Sequence, residues 1–237
     1  LEHMVDCVLY FEGGQSNRFR ILRAIKNRFG AVNEIGVFAM TDKGLSQVSN
    51  PSAIFLAGHQ QPKPGSVIIS SWEGTRPLLI ELQALVDVSH GSNPRRVCVG
   101  LDSNRLAMLL AVLHKHCGVA SYDQDVYLNV VGGLKVSETA ADLAILLAVI
   151  SSLRNKAIAR EVMIFGEVGL SGEVRPVQAG SERINEAEKQ GFKTAIVPKA
   201  NCPKNYSGKM RLISVEHLSE AVAALADVLE SSVVSAQ

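Results

Sequence analysis

The most apolar stretch of the chain constrains its fold more than any other feature. Residues 138–153 read ETAADLAILLAVISSL, and in the helix that this spacing predicts, apolar side chains fall on nearly every face. A helix of this kind is normally buried on most of its sides, so other elements must surround it. No stretch of the chain reaches the ~18 apolar residues that a membrane span needs. The sequence therefore predicts a folded domain built around this helix.

Strands and helices alternate on both sides of it. A period of 3.6 residues predicts further helices at 104–116, 182–190 and 215–229. Asp102 or Ser103 is the expected N-cap of the first of these, and Ser214 of the last. Runs of alternating apolar and β-branched residues predict strands at 5–11, 35–40, 67–72, 78–88, 96–101, 125–131, 161–165 and 194–197.

Turn-forming residues interrupt this pattern near the amino end. They surround Pro51 and recur at Pro62-Lys63-Pro64-Gly65. These breaks predict a domain boundary between residues 57 and 66. Residues 1–4 read LEHM and are interpreted as a cloning scar followed by an initiator methionine, so they are left out of the fold prediction.

Composition and spacing exclude several kinds of site. No GxxxxGK[ST] loop occurs, so the chain is not expected to be an ATPase by itself. His114 and His116 fall on different faces of a helix, and no metal site is predicted. The cysteines form no CxxC pair, which excludes a zinc ribbon and favours a reducing, cytoplasmic compartment. They are Cys7, Cys98, Cys117 and Cys202.

Two blocks of residues resemble known families. Lys26-Asn27-Arg28-Phe29-Gly30, within ILRAIKNRFGAVNEIGVFAM, is similar to the KNRFG signature of the RadA/Sms family. The segments NVVGGLKVSETAADLAILLAVISSL, FGEVGLSGEVRPV and GFKTAIVP resemble the proteolytic domain of Lon. The resemblance implies an α+β, Lon proteolytic-domain-like fold (ribosomal protein S5 domain 2-like) for 66–231. It also implies that 5–60 is the carboxy-terminal fragment of a RecA-like α/β ATPase core, and leaves 232–237 as a tail.

The resemblance also implies a function. The RadA/Sms family is implied to be a hexameric, DnaB-like motor that uses ATP and Mg to promote branch migration in recombination and repair. The zinc finger and the Walker A loop of that family are absent from this sequence, so no cofactor is expected in this fragment. We therefore expect a ring-forming scaffold that binds single-stranded or branched DNA through its backbone, with a recombinase as a candidate partner and no contact with membranes.

A Lon protease needs a serine nucleophile and a lysine that accepts its proton. The two positions fall on Ala140 and Ser181, so no catalytic residue is predicted. Thr139, Ser137 and Lys135 lie nearby and leave a peptidase with a displaced dyad as an alternative. The other interpretation is that Ser137 or Thr139 caps the buried helix and that Ser181 caps the next one.

Basic residues supply the remaining candidates. The resemblance implies that residues 26–30 couple nucleotide or DNA across a subunit interface, as an arginine finger does. If 19–28 is helical, Arg20, Arg23 and Lys26 share a face, and a solvated basic face is the alternative. The residues predicted to contact DNA phosphates are Arg18, Arg20, Arg23, Arg95, Arg96, Arg105 and Lys115. A purely structural oligomerisation domain without DNA contacts is a second alternative.

Overall fold

The computed structural model describes residues 2–12, 19–30, 32, 35–56 and 61–229. A short 3₁₀ helix at Glu2–Met4 precedes the first sheet. Arg18 lies outside the described residues, so its predicted contact with DNA has no structural counterpart. In the described part of the chain, every helix is too short or too polar to cross a membrane.

The first sheet is an antiparallel meander of four strands that pair in sequence order. They are β1 (Cys7–Glu12), β2 (Phe19–Asn27), β3 (Ile35–Thr41) and β4 (Gly44–Gln47). A one-turn helix, α1 (Pro51–Phe55), follows them, and the Asn50 side chain accepts the Ala53 N–H at its start.

Residues 19–28 are therefore not helical, and the shared basic face considered above is wrong. In β2, Arg23 pairs with Tyr10 of β1 on one side and with Ile35 of β3 on the other. Because side chains alternate along a strand, Arg23 lies on the face opposite Arg20, whereas a β-bulge just before Lys26 places Lys26 on the same face as Arg23. This conformation depends on the pairing of β2 with β1 and β3, which the local sequence pattern does not reveal.

A second, mixed sheet contains seven strands in the order β13-β12-β9-β5-β6-β8-β7. β5 pairs antiparallel with β6 and β6 with β8, whereas the remaining neighbours are parallel. The strands are β5 (Ser66–Glu73), β6 (Arg76–Val88), β7 (Arg96–Val99), β8 (Gln124–Val130), β9 (Val162–Ile164), β12 (Thr194–Pro198) and β13 (Arg211–Val215). A small hairpin of β10 (Glu167–Val168) and β11 (Val174–Arg175) stands beside this sheet.

Helices cover both faces of the larger sheet. They are α2 (Ser103–Cys117), α3 (Asp142–Leu153), α4 (Gly180–Lys189) and α5 (Leu218–Val228). The prediction that the apolar helix is buried is confirmed, because every α3 residue from 142 to 151 is buried. α2, α3 and α5 share one apolar core with the β5 residues Val67 and Ile69. Ile68 of β5 faces the other side, where it packs with Ile184 and Ala187 of α4.

The predicted helix caps are only partly right. The Asp102 carboxylate accepts the Arg105 N–H at 2.8 Å and caps α2 as predicted. Ser214 lies inside β13, and α5 starts after His217. Ser181 does not cap α4, whose N-cap is Ala179 in the left-handed region at φ +58°.

Neither Ser137 nor Thr139 caps α3. A 3₁₀ turn, Thr139–Ala141, leads into that helix, and no side chain caps its first backbone N–H groups. The Thr139 hydroxyl instead donates to Glu167 Oε2 at 2.6 Å.

Candidate functional site

The two positions aligned with the Lon dyad lie at the starts of α3 and α4. Ala140 is 2% exposed in the 3₁₀ turn, and its carbonyl accepts the Gly166 N–H at 2.8 Å. Ser181 is exposed in the first turn of α4. Ala140 has no group that could attack a carbonyl, and Ser181 has no amine that could take up a proton. The dyad chemistry is therefore absent from both positions.

A buried ion pair lies between these positions. The Arg183 side chain of α4 is 0% exposed, and its guanidinium donates to Glu138 Oε1 at 2.9 Å and Oε2 at 2.6 Å. It also donates to the carbonyls of Gln178 and Ser70. The rings of Trp72 and Phe165 lie 5.9 and 5.8 Å from the guanidinium carbon. Such a saturated cation is held in place and is not free to act as a base.

A second ion pair holds the start of α3. The Asp142 carboxylate accepts from the Arg105 guanidinium at Oδ1, 3.0 Å from Nε, and also at Oδ2. The Val168 N–H donates to the same carboxylate at 3.1 Å. Burial raises the pKa of Asp142, and the hydrogen bond to Asp142 raises the pKa of Arg105. Arg105, a predicted DNA contact, thus has a partner inside the chain, which favours a structural role.

The residues of the displaced-dyad alternative are not assembled into a nucleophile and a base. Thr139 donates its hydroxyl hydrogen to a carboxylate, and its partner Glu167 lies 3.9 Å from the Arg175 guanidinium. Lys135 and Ser137 are exposed. Within the part of the chain that the structure describes, no hydrogen bond joins Lys135 to Thr139. The arrangement stabilises the turn and gives the hydroxyl no amine partner.

An open cavity of about 720 Å³ lies beside this region. Its walls are the first turns of α2 and the extended segment that precedes α3, and α3 and β8 contribute apolar side chains. The lining residues are Leu101, Asp102, Ser103, Asn104, Arg105, Leu106, Met108, Leu128, Lys135, Val136, Ser137, Glu138, Thr139, Asp142 and Ile145. Sequence reasoning missed this cavity, because it forms between segments that are far apart in the chain.

The KNRFG segment lies at the end of β2. Arg28 follows the strand and donates its backbone N–H to Asp6 O at 2.9 Å and its guanidinium to Asp6 Oδ1 at 3.0 Å. Asn27 Oδ1 accepts the Phe29 N–H at 3.1 Å and closes the turn. Phe29 is 82% exposed. The segment therefore presents an aromatic ring and an arginine at the surface of the first sheet, where another chain could contact them.

The other predicted DNA contacts differ in how free they are. Arg23 forms an ion pair with Glu73 at 2.8 Å, which joins the two sheets. Arg96 donates to the carbonyls of Arg95, Ser121 and Gln124 and so fixes the ends of β7 and β8. Sequence reasoning did not foresee these internal partners. The side chains of Arg95, Lys115 and, less fully, Arg20 are accessible.

Metal chemistry has no support in the described residues, where no three His, Cys, Asp or Glu side chains converge. The four cysteines are free thiols. Burial raises the pKa of Cys98, Cys117 and Cys202, so these thiols are weaker nucleophiles than an ordinary cysteine.

Curated relatives match the chain along almost its whole length. DNA repair protein RadA of Pseudomonas aeruginosa is 64% identical over 225 residues, which are 95% of this chain and 50% of that protein. The chain is a RadA-family sequence. RadA of Escherichia coli is 58% identical over 228 residues, and RadA of Bacillus subtilis 48% over 223. The chain spans about half the length of each of these relatives.

A family model gives a second, shorter match. The model described as "Subunit ChlI of Mg-chelatase" matches residues 97–201, which run from β7 to just after β12. This stretch contains α3 and both ion pairs. The RadA resemblance suggested by residues 26–30 is thus confirmed by the relatives, whereas the narrower likeness to Lon stays a prediction.

Proposed function

We propose that this chain is the non-proteolytic, ring-forming and DNA-associated half of a RadA-type DNA repair ATPase. The observation that carries the proposal is the match to DNA repair protein RadA over about 95% of the chain. The four-stranded sheet would complete a RecA-like ATPase core at 5–60, and 66–231 would be a Lon-like scaffold. The rest of the full-length protein would bind ATP and Mg and drive branch migration in the bacterial cytoplasm.

The absence of dyad groups supports a scaffold over a peptidase. Ala140 and Ser181 lack the two reacting groups, and buried Arg183 is committed to Glu138. A serine or threonine hydroxyl without a matched base is a poor nucleophile. We therefore expect the unaltered chain not to hydrolyse casein. The peptidase alternative predicts instead that casein is hydrolysed and that Thr139→Ala abolishes the hydrolysis.

Ring assembly needs an interface that joins two different surfaces of neighbouring subunits and closes after six copies. The exposed Phe29 and Arg28 are suited to such a contact, because a trans-acting arginine reaches a neighbour's nucleotide only from an accessible surface. Light scattering after size exclusion measures the assembly directly. A hexamer that ignores DNA at low salt would favour the purely structural alternative.

DNA binding would use accessible cations on either part of the chain. Arg95 and Lys115 lie on the larger unit, and Lys26 and Arg28 on the first sheet. Contacts with phosphates release counterions, so affinity falls steeply with salt. Aromatic residues make up only 5% of the chain, which argues against sequence-specific recognition of stacked bases.

The test is the anisotropy of a labelled single-stranded oligonucleotide, titrated with protein from low to moderate salt. Lys26→Ala/Arg28→Ala and Arg95→Ala/Lys115→Ala are compared with Lys204→Ala/Lys209→Ala, which removes the same charge from an exposed loop. Each lost phosphate contact should reduce the slope of log affinity against log salt by about 1. A variant pair that behaves like the loop control lies outside the DNA site, and equal behaviour of all three refutes the assignment.

A further inference from the structure

The cavity beside α2 has the features of a binding site for a ligand other than DNA. Its apolar lining includes Leu101, Leu128 and Ile145, while one rim is the segment 135–138. A cleft with an apolar floor and a few polar groups at its rim is the usual form of a ligand site. Of the predicted DNA contacts that the structure describes, Arg105 alone lines this cleft, and its guanidinium is held by Asp142.

Burial alternates along the rim segment as it does along a strand with one buried face. Leu134 and Val136 are buried, whereas Lys135 and Ser137 between them are exposed. The Val136 N–H donates to Gly100 O at 2.8 Å. For the backbone groups of Lys135 and Ser137, the described residues provide no hydrogen-bond partner. In an extended chain these groups point away from the Val136 bond, so they form a free edge to which another strand can add.

The charge around the cleft favours an acidic occupant. Arg105 and Arg183 neutralise Asp142 and Glu138, and Asp102 is used as a helix cap. Lys135 forms no ion pair among the described residues and stands on the rim. The Asp102 carboxylate lies at the N-cap of α2, where the partial positive charge of the helix offsets its own charge, so Lys135 is the lining charge that lacks a counter-charge among the described residues.

We propose that this cleft binds an extended peptide segment of a partner protein, which adds as a strand to residues 135–137, places an apolar side chain on the cleft floor and sets a carboxylate beside Lys135. Main-chain hydrogen bonds supply affinity in this mode of recognition, and alternate side chains supply specificity. The groove would keep the capacity to hold a peptide, while the neighbouring Ala140 has no group with which to cleave it.

The test uses a fluorescein-labelled octapeptide of alternating leucine and threonine with one glutamate beside the central leucine. A second peptide carries lysine in place of that glutamate. We expect the acidic peptide to bind about tenfold more tightly than the basic one, because one charge-assisted contact changes sign. Lys135→Glu should reverse that order, whereas Lys204→Glu, on an exposed loop, should leave it unchanged.

A second variant tests strand addition without changing charge. Ser137→Pro removes a backbone donor that has no partner within the described chain, and proline is tolerated in extended backbone. It should weaken binding of the acidic peptide about tenfold or more, with an unchanged melting temperature. Hydrogen exchange should show that the peptide protects the amides of Lys135 and Ser137.

Three outcomes would overturn the proposal. The first is the absence of any anisotropy change up to millimolar peptide, and the second is binding that neither Lys135→Glu nor Ser137→Pro alters. In the third, a single-stranded oligonucleotide protects the two amides and the peptide does not, which would assign the cleft to nucleic acid. Because DNA affinity is measured separately, failure of this proposal leaves the DNA-scaffold proposal standing.

Discussion

The buried pair of Glu138 and Arg183 permits a quantitative prediction, because its two members differ in their access to water. The Arg183 side chain is 0% exposed and the Glu138 side chain 25%. Removing one partner of a buried ion pair costs about 3–5 kcal/mol, since the other charge is left without compensation. The cost should therefore depend on which partner stays behind.

Glu138→Ala leaves a guanidinium that water cannot reach. Its remaining acceptors are two backbone carbonyls, so we expect a loss at the upper end of the range, about 4–5 kcal/mol. Arg183→Met leaves the Glu138 carboxylate, which is one-quarter exposed and still accepts the backbone N–H of Trp72 at 2.7 Å. Its loss should be smaller, about 3 kcal/mol, and should arise mainly from the carbonyls of Ser70 and Gln178.

The assay is urea unfolding at pH 7 and 25 °C, followed by circular dichroism, for the two single variants and the double variant. The double variant should be at least about 2 kcal/mol more stable than the sum of the single losses predicts, because no charge then remains unpaired. Losses that simply add, or a Glu138→Ala variant that loses less than Arg183→Met, would refute the reasoning. A changed denaturant slope would show that the unfolding is not comparable between variants.

Three further predictions follow from other contacts. Gly65→Ala should lower the free energy of unfolding in urea by more than about 2 kcal/mol, because Gly65 has φ +81° and an added Cβ would lie 2.0 Å from Ala84 O. The control Gly91→Ala has open space around the added Cβ and should leave the free energy of unfolding unchanged. Arg96→Ala should lower the free energy of unfolding by about 1–3 kcal/mol in the same assay, because three backbone carbonyls lose their donor. The DNA affinity of the folded protein should not change. Backbone hydrogen bonds lower the pKa of Glu220, so its stabilisation exists above the unfolded pKa of about 4.3 and is lost as pH falls through the lower folded value. Glu220→Gln should therefore lower the free energy of unfolding by less than about 1 kcal/mol at pH 7, and by less in acid, where the Glu220 carboxylate becomes protonated. An equal loss at pH 7 and in acid would contradict this.

The elements with a strong local period were predictable from the sequence. α3 is apolar on every face and is buried, and Asp102 caps α2 because its side chain reaches an N–H only three residues away. β2 was harder, because FRILRAIKN fits a helical and an extended pattern equally well. Its conformation comes from pairing with β1 and β3, which local spacing cannot report.

For the candidate site, the sequence predicted which reactive groups are missing but not which side chains form ion pairs. The resemblance to Lon predicts that Ala140 and Ser181 occupy the dyad positions. It did not point to Arg183, although Arg183 lies on the same helical face as buried Ala187. A charged residue on a buried face is a signal that a partner exists, and here the partner is Glu138. The structural roles of Arg96 and Arg105 could not be predicted either, since the Ser121 and Gln124 acceptors of Arg96 and the Asp142 acceptor of Arg105 lie 25 residues or more away in sequence.

The two ion pairs fit the proposal that this region is a scaffold without protease chemistry. Glu138 and Asp142 flank the 3₁₀ turn, and each is held by an arginine from a different helix. A catalytic lysine must exchange protons, so it cannot be locked in such a pair, whereas an arginine keeps its charge and holds the turn permanently. The segment before the turn thereby lies beside the cleft, and the backbone groups of Lys135 and Ser137 have no hydrogen-bond partner among the described residues. Arginine pairing in place of the dyad would thus favour binding at this site over reaction.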